Sequence, residues 1–162
     1  MPYRYDDNVC LITGAASGIG RAASIKMAGL GAKLAICDIN SDGLNETNKL
    51  CGDEHFVKVV DVASSEACSS FIDAVIGHYS RLDQVFNCAG VNPTAYSLTD
   101  TTDAYWDKLV NTNLKGTYAI TRSAIPHLKA GSSIVNVSSV MGVTVAANYA
   151  IYCATKWGIV GE

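Results

Sequence analysis

Two side chains near the carboxyl end of the chain are spaced for proton transfer. Tyr152 and Lys156 are four residues apart in a predicted helix, so both side chains project from one face of it. A phenol that titrates at about 10 is too weak an acid to relay protons at neutral pH, and a neighbouring ammonium group lowers that pKa. The pair could therefore act as a general acid–base. Because the same spacing is also common on exposed helices, the surrounding residues must decide between the two interpretations.

Three glycines lie where the first predicted strand meets the helix after it. They are Gly14, Gly18 and Gly20, in the pattern TGxxxGxG that begins at Thr13. Glycine lets the backbone turn tightly and approach a pyrophosphate, and the helix directs its free N–H groups towards that anion. This position between strand and helix favours a phosphate-binding turn over a turn without a ligand. A P-loop would need Lys and then Ser or Thr after the last glycine, and a hydrolase elbow would read GxSxG; this turn has neither.

An acidic residue ends the second predicted strand. Asp38 follows Gly20 by eighteen residues. A carboxylate there can accept both ribose hydroxyls of an adenosine and would repel a 2′-phosphate. No arginine stands beside Asp38 or just before Gly18 to offset that repulsion. The sequence therefore favours NAD and leaves NADP possible; the alternative is that Asp38 only caps a helix at the end of the strand.

Short apolar runs alternate with longer helical stretches along the chain. Strands are predicted over 9–13, 33–38, 56–61, 82–88 and 133–138, and helices over 18–30, 41–50, 64–79, 102–128 and from 148 or 149 onward. Continuous apolar strands joined by helices predict an α/β fold with a doubly wound, mostly parallel, Rossmann-like sheet. Residues 1–162 form one predicted domain, and Pro126 is expected to shorten or bend the fourth helix.

The predicted sheet is incomplete at its carboxyl end. The two-half dinucleotide fold has six strands, whereas only five are predicted here. The strand over 133–138 would then be an unpaired edge. The chain could be a fragment of a longer protein, the product of a truncated gene, or one whose edge a partner covers, and we expect truncation.

The composition excludes several classes of protein. The 162 residues are 49% apolar and 17% charged, which is typical of a globular chain and not of a disordered one. A net charge of −3 argues against nucleic-acid and anionic-membrane partners, and no apolar run is long enough to span a membrane. The polar start over 1–7 predicts no signal peptide. Six cysteines without a CxxC pair and three scattered histidines predict no metal site and a reducing, cytoplasmic location.

Five motifs occur in the order typical of one enzyme family. They are TGxxxGIG over 13–20, Asn-Cys-Ala-Gly over 87–90, Asn-Leu-x-Gly over 113–116, Ser139, and Tyr-x-x-x-Lys over 152–156. On these motifs the chain resembles the short-chain dehydrogenase/reductase family from Val9 to its last residue. It departs from the family pattern at Cys88, where a second Asn is usual, and we expect the effect to be mild.

The resemblance implies a role for each matching residue. Tyr152 would be the general acid–base, and Lys156 would tune it and hold the nicotinamide ribose. Ser139 would hydrogen-bond the substrate oxygen, and Asn113 would support a water-mediated proton path from Lys156. The residues expected to contact the cofactor are Thr13, Gly14, Ser17, Gly18, Ile19, Gly20, Asp38, Asp61, Val62, Asn87, Ala89, Gly90, Tyr152 and Lys156.

The resemblance implies an NAD(P)-dependent oxidoreductase that moves a hydride between the nicotinamide and a secondary alcohol or ketone. Family members continue into a sixth strand, a Pro-Gly turn, a substrate-covering segment and a seventh strand, which this sequence lacks. One alternative is therefore a truncated, non-catalytic relative that binds the nucleotide weakly or not at all. Another is a structural subunit that completes its sheet with another chain, and a homo-oligomer is possible.

Overall fold

A five-stranded parallel sheet forms the centre of the molecule. The computed structural model describes residues 4–91 and 93–161. The polar start of the chain, for which no signal peptide is predicted, thus lies partly outside the described residues. The strands are β1 (Val9–Thr13), β2 (Lys33–Asp38), β3 (Phe56–Val59), β4 (Gln84–Asn87) and β5 (Ser133–Asn136). Their spatial order is β3-β2-β1-β4-β5, with every neighbouring pair parallel. The predicted doubly wound α/β fold is confirmed.

In the part of the chain that the structure describes, six α-helices connect and cover the strands. They are α1 (Gly18–Gly29), α2 (Ser41–Cys51), α3 (Ser65–Tyr79), α4 (Asp103–Leu109), α5 (Gly116–Ala124) and α6 (Ala150–Val160). Side chains cap three of their amino ends: Asn40 Oδ1 accepts from Gly43 N–H, Ser64 Oγ from Ala67 N–H, and Thr102 Oγ1 from Tyr105 N–H. Gly31, two residues after the end of α1, has a φ of +93°, a conformation that glycine adopts without strain.

The predicted helix over 102–128 is not one continuous α-helix. A π-helical segment, Val110–Lys115, separates α4 from α5, and a 3-10 turn, Ile125–His127, follows α5. Pro126 shortens the helix as predicted, because proline has no N–H to continue the α-helical ladder. The π-helical segment contains Asn113, which bonds to the backbone of Val91.

Three strands are shorter than predicted, and the residues that follow them bond to other parts of the chain. After β3 the chain turns at Asp61, whose Oδ1 accepts from Ala63 N–H at 2.9 Å. After β4 the N–H groups of Cys88 and Ala89 both donate to Thr13 Oγ1. After β5, Ser138 Oγ donates to Lys156 O in α6 at 2.7 Å. The residues after these strands leave the sheet and form the loops at its carboxyl edge.

The two faces of the sheet carry separate apolar cores. Leu11 packs with Phe71 and Ile120 on the face covered by α3 and α5, whereas Ile12 packs with Leu44 on the face covered by α1 and α2. Successive strand residues point to opposite faces, so β1, buried at all five positions, contributes to both cores. The central strand and its carboxyl end are therefore held from both sides.

Within the described residues, no helix is long and apolar enough to cross a membrane. The same part of the chain contains no group of three or more His, Cys, Asp or Glu side chains arranged to hold a metal ion. All six cysteines are free thiols.

Asp83 links the amino ends of three strands through its carboxylate and its backbone. Asp83 Oδ2 accepts from Val9 N–H at 2.8 Å, and both carboxylate oxygens accept from the Arg81 guanidinium. The Asp83 backbone bonds to Val9 and to Ser133 as well. Burial alone would raise the pKa of Asp83, but the hydrogen bonds from Arg81 and Val9 and the Arg81 charge outweigh it and hold the pKa below its usual value.

We expect Asp83→Asn to lower the free energy of unfolding by about 1 kcal/mol at neutral pH, because a charge-assisted hydrogen bond is weakened. Since the folded pKa lies below the unfolded one, the stabilisation is complete above the unfolded pKa, about 4, and is lost as the pH falls through the folded value. Urea denaturation of both proteins at neutral and acid pH measures the effect. A difference that does not shrink on acidification would contradict the role of the charge.

Candidate functional site

An open cavity of about 950 Å³ lies above the carboxyl ends of β1, β2 and β4. The strand order reverses between β1 and β4, and ligands of open α/β sheets bind at such a reversal. Ten of the predicted cofactor residues line the cavity: Gly14, Ser17, Gly18, Ile19, Gly20, Asp38, Asp61, Val62, Ala89 and Gly90. The cavity is large enough for a dinucleotide.

The glycine-rich turn, residues 13–20, is shaped by close backbone contacts. Gly14 has a φ of +68°, and a Cβ there would lie 2.8 Å from the Ala89 backbone. A Cβ on Gly20 would collide with the carbonyl of Gly14. The amino end of α1 has no acidic residue in its first turn, and its cap, Ser17, makes no side-chain capping bond. The N–H groups at this helix end can therefore bind an anion.

Two of the predicted cofactor residues lie beneath the cavity instead of lining it. Thr13 is buried and accepts through Oγ1 from two backbone N–H groups of the 88–89 segment. Asn87 is also buried and donates through Nδ2 to Thr121 Oγ1 and Asn136 Oδ1. In this structure both residues join β1, β4 and β5 below the site, and direct contact with a cofactor stays a prediction.

Asp38 faces the cavity and also holds the glycine-rich turn. Its Oδ2 accepts from Ala16 N–H at 3.1 Å and its Oδ1 accepts from Asn40 N–H at 3.0 Å. A carboxylate has about four acceptor positions, so two remain for the hydroxyls of a ribose. The cap of α2 is Asn40, so the alternative that Asp38 caps a helix is not what the structure shows. Asp38 instead holds the backbone at Ala16 and Asn40, and its role as a ribose ligand stays a prediction.

Tyr152 and Lys156 lie together on α6, as their spacing predicts. The Lys156 Nζ atom is 5.9 Å from the centre of the Tyr152 ring and donates to Val137 O at 2.8 Å. Lys156 is only 7% exposed. Burial lowers its pKa, and the nearby Cys88 thiol partly opposes that shift. A buried cation thus lies beside a half-buried phenol.

Asn113 and Lys156 come together at Gly90, which lines the cavity. A Cβ on Gly90 would lie 3.2 Å from Asn113 Oδ1 and 3.9 Å from Lys156 Nζ. Asn113 is buried in the π-helical segment, where its Oδ1 accepts from Val91 N–H and its Nδ2 donates to Val91 O. This pair of bonds accompanies the local widening of the helix, which is a common setting for functional residues.

The two serines after β5 have different surroundings. Ser138 is bonded to the backbone of Lys156, whereas Ser139 Oγ accepts from Met141 N–H at 3.1 Å. Because a hydroxyl that accepts can still donate, the Ser139 hydroxyl can make a further hydrogen bond as a donor. None of Asn113, Ser139, Tyr152 and Lys156 lines the cavity. Asn113 and Lys156 lie behind its lining residue Gly90, and Tyr152 lines a second, much smaller cavity.

The sequence motifs did not identify the residues of one wall of the cavity. It consists of α4 and the first residues of the π-helical segment, and its lining residues are Ala104, Asp107, Lys108, Asn111 and Thr112. Positions 104, 107, 108 and 111 have the spacing of one helix face, which is the signal that could have identified them. Cys88 also lines the cavity, and burial raises the pKa of its thiol against the opposing charge of Lys156.

Comparison with known proteins links this geometry to a family. A sequence model of the short chain dehydrogenase family matches residues 8–161. The chain is 34% identical to (3R)-3-hydroxyacyl-CoA dehydrogenase of Homo sapiens and 35% identical to the 3-oxoacyl-[acyl-carrier-protein] reductase FabG of Thermotoga maritima. The alignments cover 94% and 98% of this chain but only 64% and 66% of those relatives, so the chain spans just under two thirds of their length.

Solved structures show the same likeness. The crystal structure of levodione reductase superimposes with a TM-score of 0.94 at 32% identity, over 98% of this chain and 64% of the other. Carveol dehydrogenase from Mycobacterium avium, in complex with NAD, superimposes with a TM-score of 0.90 at 31% identity over the same shares.

Proposed function

Since this chain belongs to the short-chain dehydrogenase family, we propose that it binds NAD in the cavity above β1 and transfers a hydride between that cofactor and a secondary alcohol or ketone. The observation that carries the proposal is the buried ammonium of Lys156 beside the Tyr152 ring, next to Gly90 in the cavity wall. A buried cation against a phenol is the arrangement that a proton donor of this type requires.

The cavity fits a dinucleotide along its length. The close backbone contacts at Gly14 and Gly20 let a pyrophosphate approach the amino end of α1. Asp38 has acceptor positions left for the adenosine ribose, and Asp61 and Val62 line the neighbouring wall for the adenine. At the other end, Gly90 borders Lys156, where the nicotinamide ribose would bind.

The protein residues supply proton traffic and orientation. A bound NAD or NADH accepts or supplies the hydride. In the direction of reduction, Tyr152 gives its hydroxyl proton to the substrate oxygen, and Ser139 donates a hydrogen bond to that oxygen as charge develops. Lys156 favours the resulting phenolate, and Asn113 supports the proton path that restores the hydroxyl. Tyr152 thus loses and regains its hydroxyl proton at each turnover, whereas the Lys156 side chain stays in position.

An assay with two readouts tests the proposal. Loss of NADH absorbance with a panel of ketones reports hydride transfer, and a parallel NADH titration reports binding. Turnover of at least one ketone together with saturable binding supports the oxidoreductase. Saturable binding without turnover would favour the non-catalytic relative, and the absence of binding would contradict the whole proposal.

The NAD preference has its own test. We expect Asp38→Ala to reduce the ratio of NAD to NADP affinity by about tenfold, because the charge that repels a 2′-phosphate is removed. The Kd ratio is the readout, since the loss of the bond to Ala16 N–H weakens binding of both cofactors. Asp42→Ala, an exposed acid in the first turn of α2, is the matched control. If the ratio of NAD to NADP affinity stayed constant in both variants, Asp38 would serve only to hold the backbone at Ala16 and Asn40.

A further inference from the structure

We propose, on the basis of the cofactor site above, that Thr47 and Arg21 are positioning residues for NAD. They clamp the Ala15–Ala16 segment of the glycine-rich turn onto α2 and so hold the N–H groups of residues 17–20 in the geometry that binds a pyrophosphate. Neither side chain lines the cavity. Both act on the cofactor through the backbone of the turn.

The Ala15–Ala16 segment has all four of its backbone hydrogen-bonding groups occupied. Ala15 N–H donates to Cys37 O, and Ala16 N–H donates to Asp38 Oδ2. On the opposite side, the carbonyl of Ala15 accepts from Thr47 Oγ1 at 2.8 Å, and the carbonyl of Ala16 accepts from Arg21 Nη2 at 2.5 Å. The donors of the segment are thus bound by the end of β2, and its acceptors are bound by Thr47 and Arg21.

The two side chains are also bonded to each other. Thr47 is fully buried in α2, and its Oγ1 accepts from Arg21 Nε at 3.0 Å. Its single hydroxyl proton lies between the Ala15 carbonyl at 2.8 Å and the Gly43 carbonyl at 2.9 Å. Arg21 forms an ion pair of 2.7 Å with Glu46 and lies within 3.4 Å of the Gly43 carbonyl. The Arg21 guanidinium, in the first turn of α1, therefore connects the glycine-rich turn to Gly43, Glu46 and Thr47 of α2. A lysine in its place could not make these bonds together.

A close approach of backbones makes the clamp possible. A Cβ on Gly43 would lie 2.8 Å from the Ala16 carbonyl oxygen and 2.9 Å from the Ala16 Cβ. No larger residue fits there without moving α2 away from the turn. The glycine thus brings Thr47 and Glu46, one turn further along α2, within reach of the turn and of Arg21.

The expected benefit is preorganisation. A turn whose backbone is already fixed does not have to be ordered when the cofactor binds, so less of the binding free energy is lost. The N–H groups after Ala16 follow directly from this fixed segment, and Arg21 N–H itself bonds back to Ser17 O at 3.1 Å. Loosening the segment is therefore expected to lower NAD affinity without changing the proton chemistry at Tyr152.

The test compares two substitutions at one position. Thr47→Val keeps the shape and removes the hydroxyl, whereas Thr47→Ser keeps the hydroxyl. We expect Thr47→Val to raise the Kd of NADH by about tenfold and Thr47→Ser to restore it to about wild-type affinity. With any ketone that is turned over, KM for NADH should rise with Kd while kcat stays constant. The matched control is Asn48→Ala, which removes a side-chain bond from α2 to Asp53, just after the helix, and should leave Kd unchanged.

A second readout needs no cofactor. Amide hydrogen exchange of residues 15–20 in the free protein should be faster in Thr47→Val than in Thr47→Ser. The expected factor is about tenfold, as for the Kd of NADH. If Thr47→Val does not fold, Arg21→Lys keeps the charge, loses the shared bonds and should show the same exchange and affinity changes.

Three results would overturn the inference. They are unchanged NADH affinity in Thr47→Val, equal weakening in the Val and Ser variants, and equal weakening in Asn48→Ala. A wild-type chain that does not bind NADH would contradict the proposed function instead. In that case the exchange rates still decide whether Thr47 and Arg21 hold the turn.

Discussion

Replacing Tyr152 by phenylalanine is expected to lower kcat for ketone reduction by about 10³-fold, the size of effect that loss of a general acid produces. The Kd of NADH should change by no more than about twofold. The phenyl ring stays on α6 beside Lys156 Nζ, so that only the proton donor is lost. Steady-state rates with saturating NADH and a direct NADH titration measure the two quantities separately.

A neighbouring tyrosine provides the control. Tyr149 precedes α6, and the residue four positions after it is Cys153, which cannot act as Lys156 does. Tyr149→Phe should retain kcat within about threefold, since it removes a hydroxyl that is not paired with a cation. If the two variants lost activity equally, or if Tyr152→Phe kept full turnover, the acid–base assignment would be wrong.

Gly20→Ala is expected to weaken NADH binding by about 100-fold, because the turn must move to accept the new methyl group. That methyl group would collide with the carbonyl of Gly14, which is backbone and cannot rotate away. The shift would displace the N–H groups at the amino end of α1 from the pyrophosphate. NADH titration measures the loss, and circular dichroism checks that the variant is folded.

The same substitution at the opposite end of α1 separates this effect from helix propensity. A Cβ on Gly29 meets no atom within 4 Å. Gly29→Ala is therefore expected to stabilise the fold by about 0.5 kcal/mol and to leave the Kd of NADH unchanged. Equal NADH affinity in the Gly20 and Gly29 variants would mean that the close approach at Gly20 does not matter for binding.

The sheet and the glycine-rich turn could be predicted from sequence because their causes are local. β1 and β2 are apolar over almost their whole length, which identifies strands that are buried on both faces. The glycines of the turn occupy backbone conformations and close contacts that few other residues tolerate, so their spacing carries the geometry directly. The spacing of Tyr152 and Lys156 likewise brings them together within one helix.

The remaining features depend on contacts between distant parts of the chain. The π-helical segment accompanies two bonds from Asn113 to Val91, which is twenty-two positions away in sequence. The Thr47 bond to Ala15 spans thirty-two positions. No periodicity or motif signals such pairs, and Thr47 alone resembles any polar residue of an exposed helix. The second role of Asp38, in holding Ala16, is hidden for the same reason.

The structure of the chain in complex with NADH tests the central claim most directly. The account predicts a pyrophosphate over the N–H groups of residues 17–20, an adenosine ribose bonded to Asp38, and a nicotinamide ring that contacts Tyr152 and Lys156. A cofactor bound elsewhere, or one whose nicotinamide end points away from Tyr152, would contradict it.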